Sequence, residues 1–191
     1  MNLKDTVRKK IKFKRENLSI EEKIKLSTKI TENFFKNFKK ELEEAKIVMS
    51  YMDFKNEVMT DKLNKKLKSM GKKIVLPKVS EDKSRIIPTE AEGNYIKGNF
   101  GILESTGKEF LGDIDIVIVP GIAFNTKGER IGFGKGYYDK FFDSLKIQGR
   151  KVPLKISLIY NFQIDERFKG EEHDEKVDAL VTETEVINFK L

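Results

Sequence analysis

The densest group of chemically useful side chains lies in one short stretch. Residues 128–145 read GERIGFGKGYYDKFFDSL and combine closely spaced glycines with a lysine, two adjacent tyrosines and an aspartate. Glycines let a backbone approach a ligand closely, and their N–H groups can converge on phosphate oxygens. Lys135 adds a positive charge, and Asp139 is a carboxylate suited to a Mg²⁺ ion that bridges phosphates. The stretch therefore predicts a phosphate-binding loop followed by a helix whose N-terminus faces the same anion.

Two common phosphate-binding patterns differ from this loop. In GFGKG (132–136), Lys135 is followed by glycine rather than by serine or threonine, as a P-loop requires. Tyr137 takes the place of the third glycine of the dinucleotide-binding pattern. The alternative is a glycine-rich turn whose tyrosines pack in the core. Two aromatic rings beside a phosphate site would also stack on a flat heterocycle, which indicates a second, planar substrate.

The elements that must position this loop alternate between strands and helices. The segment DIDIVIVP (113–120) is apolar on both faces and is predicted to be the central strand, directly before the loop. Ligands of open α/β sheets bind beyond the carboxyl ends of the strands. We therefore expect an α/β fold with a mostly parallel or mixed sheet between two helical layers, a three-layer α/β/α sandwich. Further strands are predicted at 46–52, 72–77, 154–160 and 178–184.

Helix signals complete the outline. Apolar residues at helical spacing predict a short basic helix near the N-terminus and a long helix behind Ser19, whose capping box uses Glu22. Thr60 can cap a helix that runs to Met70 and stops at Gly71, and residues 137–146 are predicted to form another helix. Pro77 is predicted to end the strand at 72–77. We expect loops and a hairpin over 80–112. The apolar positions of the first two helices are Leu3, Val7, Ile11, Phe13, Ile20, Ile24, Ile30, Phe34, Phe38 and Leu42.

Composition limits the classes of site and location. The 191 residues predict one domain over 1–191. There is no cysteine and one histidine, His173, so disulfides, thiolate sites and histidine-rich metal sites are excluded. A metal must then be a hard cation held by carboxylates, which favours Mg²⁺. No apolar run of about 18 residues occurs, so no membrane partner is expected, and the composition fits a cytoplasmic protein.

The net charge of +7 raises the alternative of a basic nucleic-acid-binding module. Residues 1–15 hold seven basic side chains against the single acid Asp5. Arginine is scarce relative to lysine, however, and direct base readout depends on bidentate arginine. We therefore expect no nucleic-acid partner, and a positive surface that attracts a small polyanion instead.

Four segments, in order along the chain, resemble one enzyme family. VPGIAFNTKGERIGFGKGYYDKFF (119–142) looks like the defining motif of 5-formyltetrahydrofolate cyclo-ligases, also called methenyltetrahydrofolate synthetases. KDTVR (4–8), YMDFKNEVMT (51–60) and HDEKVD (173–178) resemble the family's N-terminal ATP segment, its folate segment and its C-terminal metal segment. Asn125 and Phe133 depart from the family pattern, where aspartate and arginine or tyrosine are usual. Residues 80–112 match only loosely.

The resemblance implies a Rossmann-like fold, a substrate pair and a set of site residues. Lys135 and Tyr137 would be catalytic, with Met52, Glu57 and Tyr137 at the folate and Asp139 and Asp174 holding Mg²⁺. The protein would act as a cytoplasmic monomer on 5-formyltetrahydrofolate and ATP. The residues expected to bind ATP are Lys4, Arg8, Arg130, Gly132, Phe133, Gly134, Lys135, Gly136, Tyr137 and Tyr138.

The implied reaction closes the formyl group of 5-formyltetrahydrofolate onto nitrogen 10. ATP phosphorylates the formyl oxygen, nitrogen 10 attacks the resulting iminium phosphate, and 5,10-methenyltetrahydrofolate, ADP and phosphate leave. Such phosphoryl transfer depends on positioning and on charge neutralisation. The nearest alternative is a paralogous ATP-dependent enzyme that acts on another pterin-like or formamide-like substrate.

Overall fold

The structure is a computed structural model that describes residues 2–91, 95–98, 101, 103–171 and 174–190. Within these ranges the helices are α1 (Leu3–Glu16), α2 (Ile20–Asn37), α3 (Lys39–Glu44), α4 (Asp61–Ser69) and α5 (Tyr137–Ile147). The strands are β1 (Ile47–Met49), β2 (Lys73–Val79), β3 (Ile86–Glu90), β4 (Tyr95–Lys97), β5 (Leu103–Ser105), β6 (Ile116–Ile118), β7 (Ala123–Phe124), β8 (Arg130–Ile131), β9 (Leu154–Leu158), β10 (Ala179–Val181) and β11 (Val186–Asn188).

Seven strands form one sheet in the order β11-β10-β9-β6-β1-β2-β3. The five inner strands are parallel, whereas β11 and β3 pair antiparallel at the two edges. Residues 116–118 of β6 are fully buried between β9 and β1, so the predicted central strand is confirmed. Parallel inner strands must be covered on both faces.

Helices cover the two faces with separate hydrophobic clusters. Phe34 of α2, Leu42 of α3 and Leu63 of α4 pack against one face, where the neighbouring side chains include Val48 and Ile118. Aromatic and aliphatic side chains of α5 pack against the other face. The predicted α/β class with a mostly parallel sheet and two helical layers is therefore confirmed. No helix in the described ranges has the length and apolarity to span a bilayer.

Helix α1 packs outside these two layers. Val7 and Ile11 are fully buried against Ile122, Ala123 and Ile131, on and beside the small β7–β8 hairpin. The Asn2 side chain accepts a hydrogen bond from the N–H of Lys4 and begins the helix. The predicted basic helix is confirmed, and its apolar stripe holds it beside the glycine-rich loop.

The long helix predicted behind Ser19 is in fact two helices. Its capping box is present, since Ser19 Oγ accepts from the N–H of Glu22 and the Glu22 carboxylate accepts from the N–H of Ser19. At Phe38 the backbone leaves helical geometry, with φ −114° and ψ 34°, and α3 starts again at the next residue. The apolar pattern suggested that Ile20 and Ile24 belong to the core, but both are exposed.

The region around Pro77 differs most from expectation. Strand β2 continues through Pro77 to Val79, and Pro77 lies opposite Pro88 of β3. Because neither proline has an N–H, this must be a pair that exchanges no ladder hydrogen bond, and it costs the sheet nothing. Residues 86–90, predicted as loop, therefore form an edge strand, while the expected hairpin is β4–β5. Strand β11 was not predicted.

Candidate active site

A cavity of about 440 Å³ opens beyond the carboxyl ends of β1, β2 and β6. This is the position where parallel sheets of α/β proteins bind ligands, because each strand end there leads into a loop. Its walls come from the chain after β1, from the end of β2, from the glycine-rich loop and from the C-terminal half of α1. Segments far apart in sequence thus share one site.

The glycine-rich loop forms one end of the cavity. It follows the β7–β8 hairpin, and Gly134 and Gly136 adopt positive φ values of 89° and 63°, which side-chain-bearing residues rarely adopt. Gly136 is the N-cap of α5 and supplies no capping side chain, so the first N–H groups of that helix are left for another acceptor. Lys135 is exposed and lines the cavity. This is the geometry of an anion site at a helix N-terminus.

An ion pair between the buried Arg130 and the partly buried Asp139 fixes the start of α5. The guanidinium Nη2 of Arg130 lies 2.7 Å from Asp139 Oδ1, and its Nη1 donates to the carbonyl of Pro120 at 3.3 Å. The N–H of Glu175 donates to the same Asp139 oxygen at 3.2 Å. Asp139 Oδ2 accepts no hydrogen bond from the described part of the chain. One carboxylate therefore joins the loop, the helix and the C-terminal segment.

Lys4, Arg8 and Asp174 lie beside the cavity rather than in its wall. Lys4 Nζ contacts Asp174 Oδ2 at 3.2 Å and Glu171 Oε1 at 2.7 Å. Arg8 Nε donates to the carbonyl of Gly132 at 3.2 Å. Because Asp174 directly precedes Glu175, whose N–H binds Asp139, the two predicted metal ligands approach the same edge of the site. Their roles stay predictions.

Met52 and Glu57 line the opposite end of the cavity. Glu57 Oε2 accepts the N–H of Phe54 at 3.0 Å, and the hydroxyl of Tyr160 donates to the Glu57 carbonyl at 3.0 Å. Burial raises the pKa of Glu57, although this hydrogen bond and the positive charge of Arg15 oppose that shift. The carboxylate is therefore held in place and poorly solvated, as a group that binds N–H donors of a ligand should be.

The two adjacent tyrosines have different environments. The Tyr137 hydroxyl donates to the carbonyl of Lys83 in the β2–β3 turn at 3.2 Å, which holds its ring across the cavity. The Tyr138 hydroxyl is buried and has no hydrogen-bond partner among the described residues. Burial, reinforced by the negative charge of Glu57, raises the pKa of Tyr138 well above its usual value. Both rings line the cavity, so the alternative in which they serve the core alone does not describe them.

Comparisons with known proteins match the chain to one family. The model of the 5-formyltetrahydrofolate cyclo-ligase family matches residues 1–183. The chain belongs to this family. It is 32% identical over 181 residues to the 5-formyltetrahydrofolate cyclo-ligase of Mycoplasma pneumoniae, with 94% of this chain and 98% of the relative covered. A probable cyclo-ligase of Caenorhabditis elegans is 31% identical over 159 residues, covering 77% of each chain.

Solved structures of cyclo-ligase family members share the fold. The 5,10-methenyltetrahydrofolate synthetase of Aquifex aeolicus has 35% identity and a TM-score of 0.81, covering 100% of this chain and 94% of that one. The Mycoplasma pneumoniae 5,10-methenyltetrahydrofolate synthetase has 29% identity and a TM-score of 0.77, covering 95% of this chain and 99% of that one. The chain is therefore an enzyme of the cyclo-ligase family.

Several side chains that line this cyclo-ligase cavity were missed by the sequence analysis. Lys12 and Arg15 continue the face of α1 that begins with Lys4 and Arg8, and this helical spacing was the signal that could have revealed them. Glu104 of β5 is buried and lines the cavity, but it lies in the loosely matching 80–112 stretch, where no pattern marked it.

The carboxylates available for a metal are few. Among the described residues, no cluster of three or more histidine, cysteine or acidic side chains has metal-site geometry. His173 lies outside the described residues. Mg²⁺ is commonly held by one or two carboxylates plus substrate phosphates. Asp139, with one carboxylate oxygen that lacks a donor among the described residues beside the glycine-rich loop, fits that coordination, and Asp174 approaches the same edge.

Proposed function

We propose that this enzyme uses ATP and Mg²⁺ to cyclise 5-formyltetrahydrofolate to 5,10-methenyltetrahydrofolate. The γ-phosphoryl group of ATP is transferred to the formyl oxygen, which then leaves as phosphate, and ADP is the other product. The observation that carries the proposal is the single cavity with the glycine-rich loop at one end and Glu57 at the other. These ends suit a polyphosphate and a ring bearing N–H donors, respectively. We take the substrate and the product of the proposal from the names of the relatives, which are a 5-formyltetrahydrofolate cyclo-ligase and a 5,10-methenyltetrahydrofolate synthetase.

At the loop end, the protein would act mainly by positioning charge. The N–H groups at the start of α5 and the ammonium of Lys135 would bind the phosphate that is transferred, where charge develops in the transition state. Arg8, held against the Gly132 carbonyl, would reach the remaining phosphates from α1. Lys4 would do the same from the edge that it shares with Asp174.

Asp139 and Asp174 are the residues that would hold Mg²⁺. Bound there, the ion would neutralise charge on the phosphate oxygens. Arg130 orients Asp139 through the 2.7 Å contact, so the carboxylate is preorganised before ATP arrives.

At the other end, Glu57 would accept hydrogen bonds from the N–H groups of the pterin, and Met52 would pack on the ring. Tyr137, fixed by its bond to Lys83, would stack beside the formyl group and align its oxygen with the phosphate. A formamide oxygen is a poor leaving group until it is phosphorylated. Holding the oxygen and the phosphate in line converts the encounter of two bound substrates into a unimolecular step.

The test is a direct assay. Purified protein is mixed with 5-formyltetrahydrofolate, ATP and Mg²⁺, and methenyltetrahydrofolate is followed by its near-ultraviolet absorbance. Product should appear only when both ATP and Mg²⁺ are present, with one ADP formed per product. Binding of ATP without any product would reject this substrate and favour a paralogous enzyme with another pterin-like or formamide-like substrate. Absence of ATP binding would reject the loop assignment as well.

A further inference from the structure

One cation of the cavity has no role in the reaction described so far. Arg15 belongs to the α1 face that also carries Lys4, Arg8 and Lys12, and it lies at the folate end of that face, whereas Lys4 lies at the phosphate end. Helix α1 thus follows the whole site. Its first two basic residues are explained by phosphate binding, but Arg15 stands beside Glu57, far along the helix from Lys4.

Arg15 is buried without an ion-pair partner. Its exposed fraction is 5%, yet it forms no salt bridge with any residue in the described ranges. Its hydrogen bond there is donated by Nε to the carbonyl of Asn56 at 2.8 Å. A buried guanidinium is costly unless its other N–H groups also find acceptors. Since Arg15 lines the cavity, a ligand in the cavity is placed to supply them.

The loop that carries Asn56 brings Arg15 and Glu57 into one wall. Arg15 binds the carbonyl of Asn56, and the next residue is Glu57. Phe54 fixes the Glu57 carboxylate from within the loop, and Tyr160, two residues after the end of β9, fixes its carbonyl. A donor and an acceptor are therefore held side by side before any ligand binds. That pattern is complementary to a cyclic amide, in which an N–H stands next to a C=O.

We propose that Arg15 donates a hydrogen bond to the ring carbonyl oxygen of the pterin, while Glu57 accepts from the adjacent ring N–H. Arg15 would then be a substrate-binding residue that selects a lactam edge over other heterocycle edges. This inference rests on the proposed function, because it takes the pterin as the ligand. The loss of a charge-assisted hydrogen bond of this kind lowers affinity by about 10- to 100-fold.

A purely structural role for Arg15 makes a different prediction. In that case the side chain only anchors the loop through Asn56, as Lys23 does by donating from Nζ to Asn56 Oδ1 at 3.0 Å. Lys23 contacts the same residue but does not line the cavity. Lys23→Met is therefore a matched control for Arg15→Met, since each removes one cation from Asn56.

The experiment compares two ligands by calorimetry without ATP. One is 5-formyltetrahydrofolate, and the other is its 4-thioxo analogue, in which sulfur replaces the ring carbonyl oxygen and the neighbouring N–H is kept. We expect the native protein to prefer the oxygen ligand by at least ~10-fold, because sulfur is a weak acceptor. Arg15→Met should bind 5-formyltetrahydrofolate about 10- to 100-fold more weakly and lose the preference. Lys23→Met should keep both the native affinity for 5-formyltetrahydrofolate and the preference for the oxygen ligand.

Each outcome decides the question. Equal affinity of the native protein for the two ligands refutes the contact, even if Arg15→Met does not fold. A variant that loses affinity for both ligands by the same factor also refutes it, because loop anchoring would explain that result. Oxygen preference without turnover supports the contact and overturns the proposed cyclisation. Turnover without oxygen preference supports the proposed cyclisation and refutes the contact.

Discussion

Replacement of Lys135 by alanine should remove activity without affecting the fold. The side chain is exposed, and it forms no hydrogen bond or ion pair with the described residues, so its loss removes nothing that stabilises the protein. An ammonium about 4 Å from a phosphate charge is worth roughly 1 kcal/mol in bulk water and roughly 4 kcal/mol at a protein surface of lower dielectric. The open side of this cavity places Lys135 between these limits, at about 2.7 kcal/mol, which is ~100-fold in kcat/KM.

The assay follows methenyltetrahydrofolate formation under saturating folate while ATP is varied. Lys127→Ala is the matched control, since Lys127 is exposed in the β7–β8 turn and does not line the cavity. We expect Lys127→Ala to retain native kcat/KM and both variants to keep the native unfolding temperature. A folded Lys135→Ala enzyme within a few-fold of native activity would refute the placement of the transferred phosphate at this loop.

Three further substitutions test the rest of the site. Glu57→Gln should raise KM for folate at least ~10-fold and yet raise the free energy of unfolding at pH 7. Because burial raises the pKa of this carboxyl from 4.5, the gain in stability should disappear as the pH falls below 4.5. A gain in stability that persists in acid would contradict the assignment. Asp139→Asn should raise the Mg²⁺ concentration for half-maximal rate at least ~10-fold, whereas the exposed Asp143→Asn one turn later should not, and equal effects would count against a metal role. Tyr138→Phe should stabilise the ligand-free protein by about 1 kcal/mol in chemical denaturation, because its buried hydroxyl lacks a partner among the described residues, and a loss of stability would reject that explanation.

Local signals predicted the elements that position the loop. The Ser19–Glu22 capping box and the apolar run of β6 depend on neighbours within a few residues, and both occur where the sequence indicated. The division of the long helix at Phe38 was not predicted, because Phe34, Phe38 and Leu42 are all buried on both sides of the break. Periodicity alone cannot show that such a stripe changes direction.

The missing parts of the site depend on contacts between distant segments. The sequence presented Arg15 only as one of the seven basic side chains of residues 1–15, and its contact with the loop around Asn56 shows that it is buried. Pro77 was predicted to end its strand because it is a proline. The strand continues because Pro77 lies opposite Pro88, which belongs to a strand that the sequence did not predict. In both cases the environment of the residue is set by a backbone segment from elsewhere in the chain, and the sequence of that segment did not predict its position.

The packing of α1 has a consequence for the order in which the molecule forms. Helix α1 is synthesised before the β7–β8 hairpin, but its buried side chains Val7 and Ile11 rest on Ala123 and Ile131, more than one hundred residues later. Closing so long a loop costs entropy that only late contacts repay. The wall that carries Lys12 and Arg15 is therefore added after the β7–β8 hairpin exists, and a nascent chain on the ribosome has no working cleft until that hairpin has emerged.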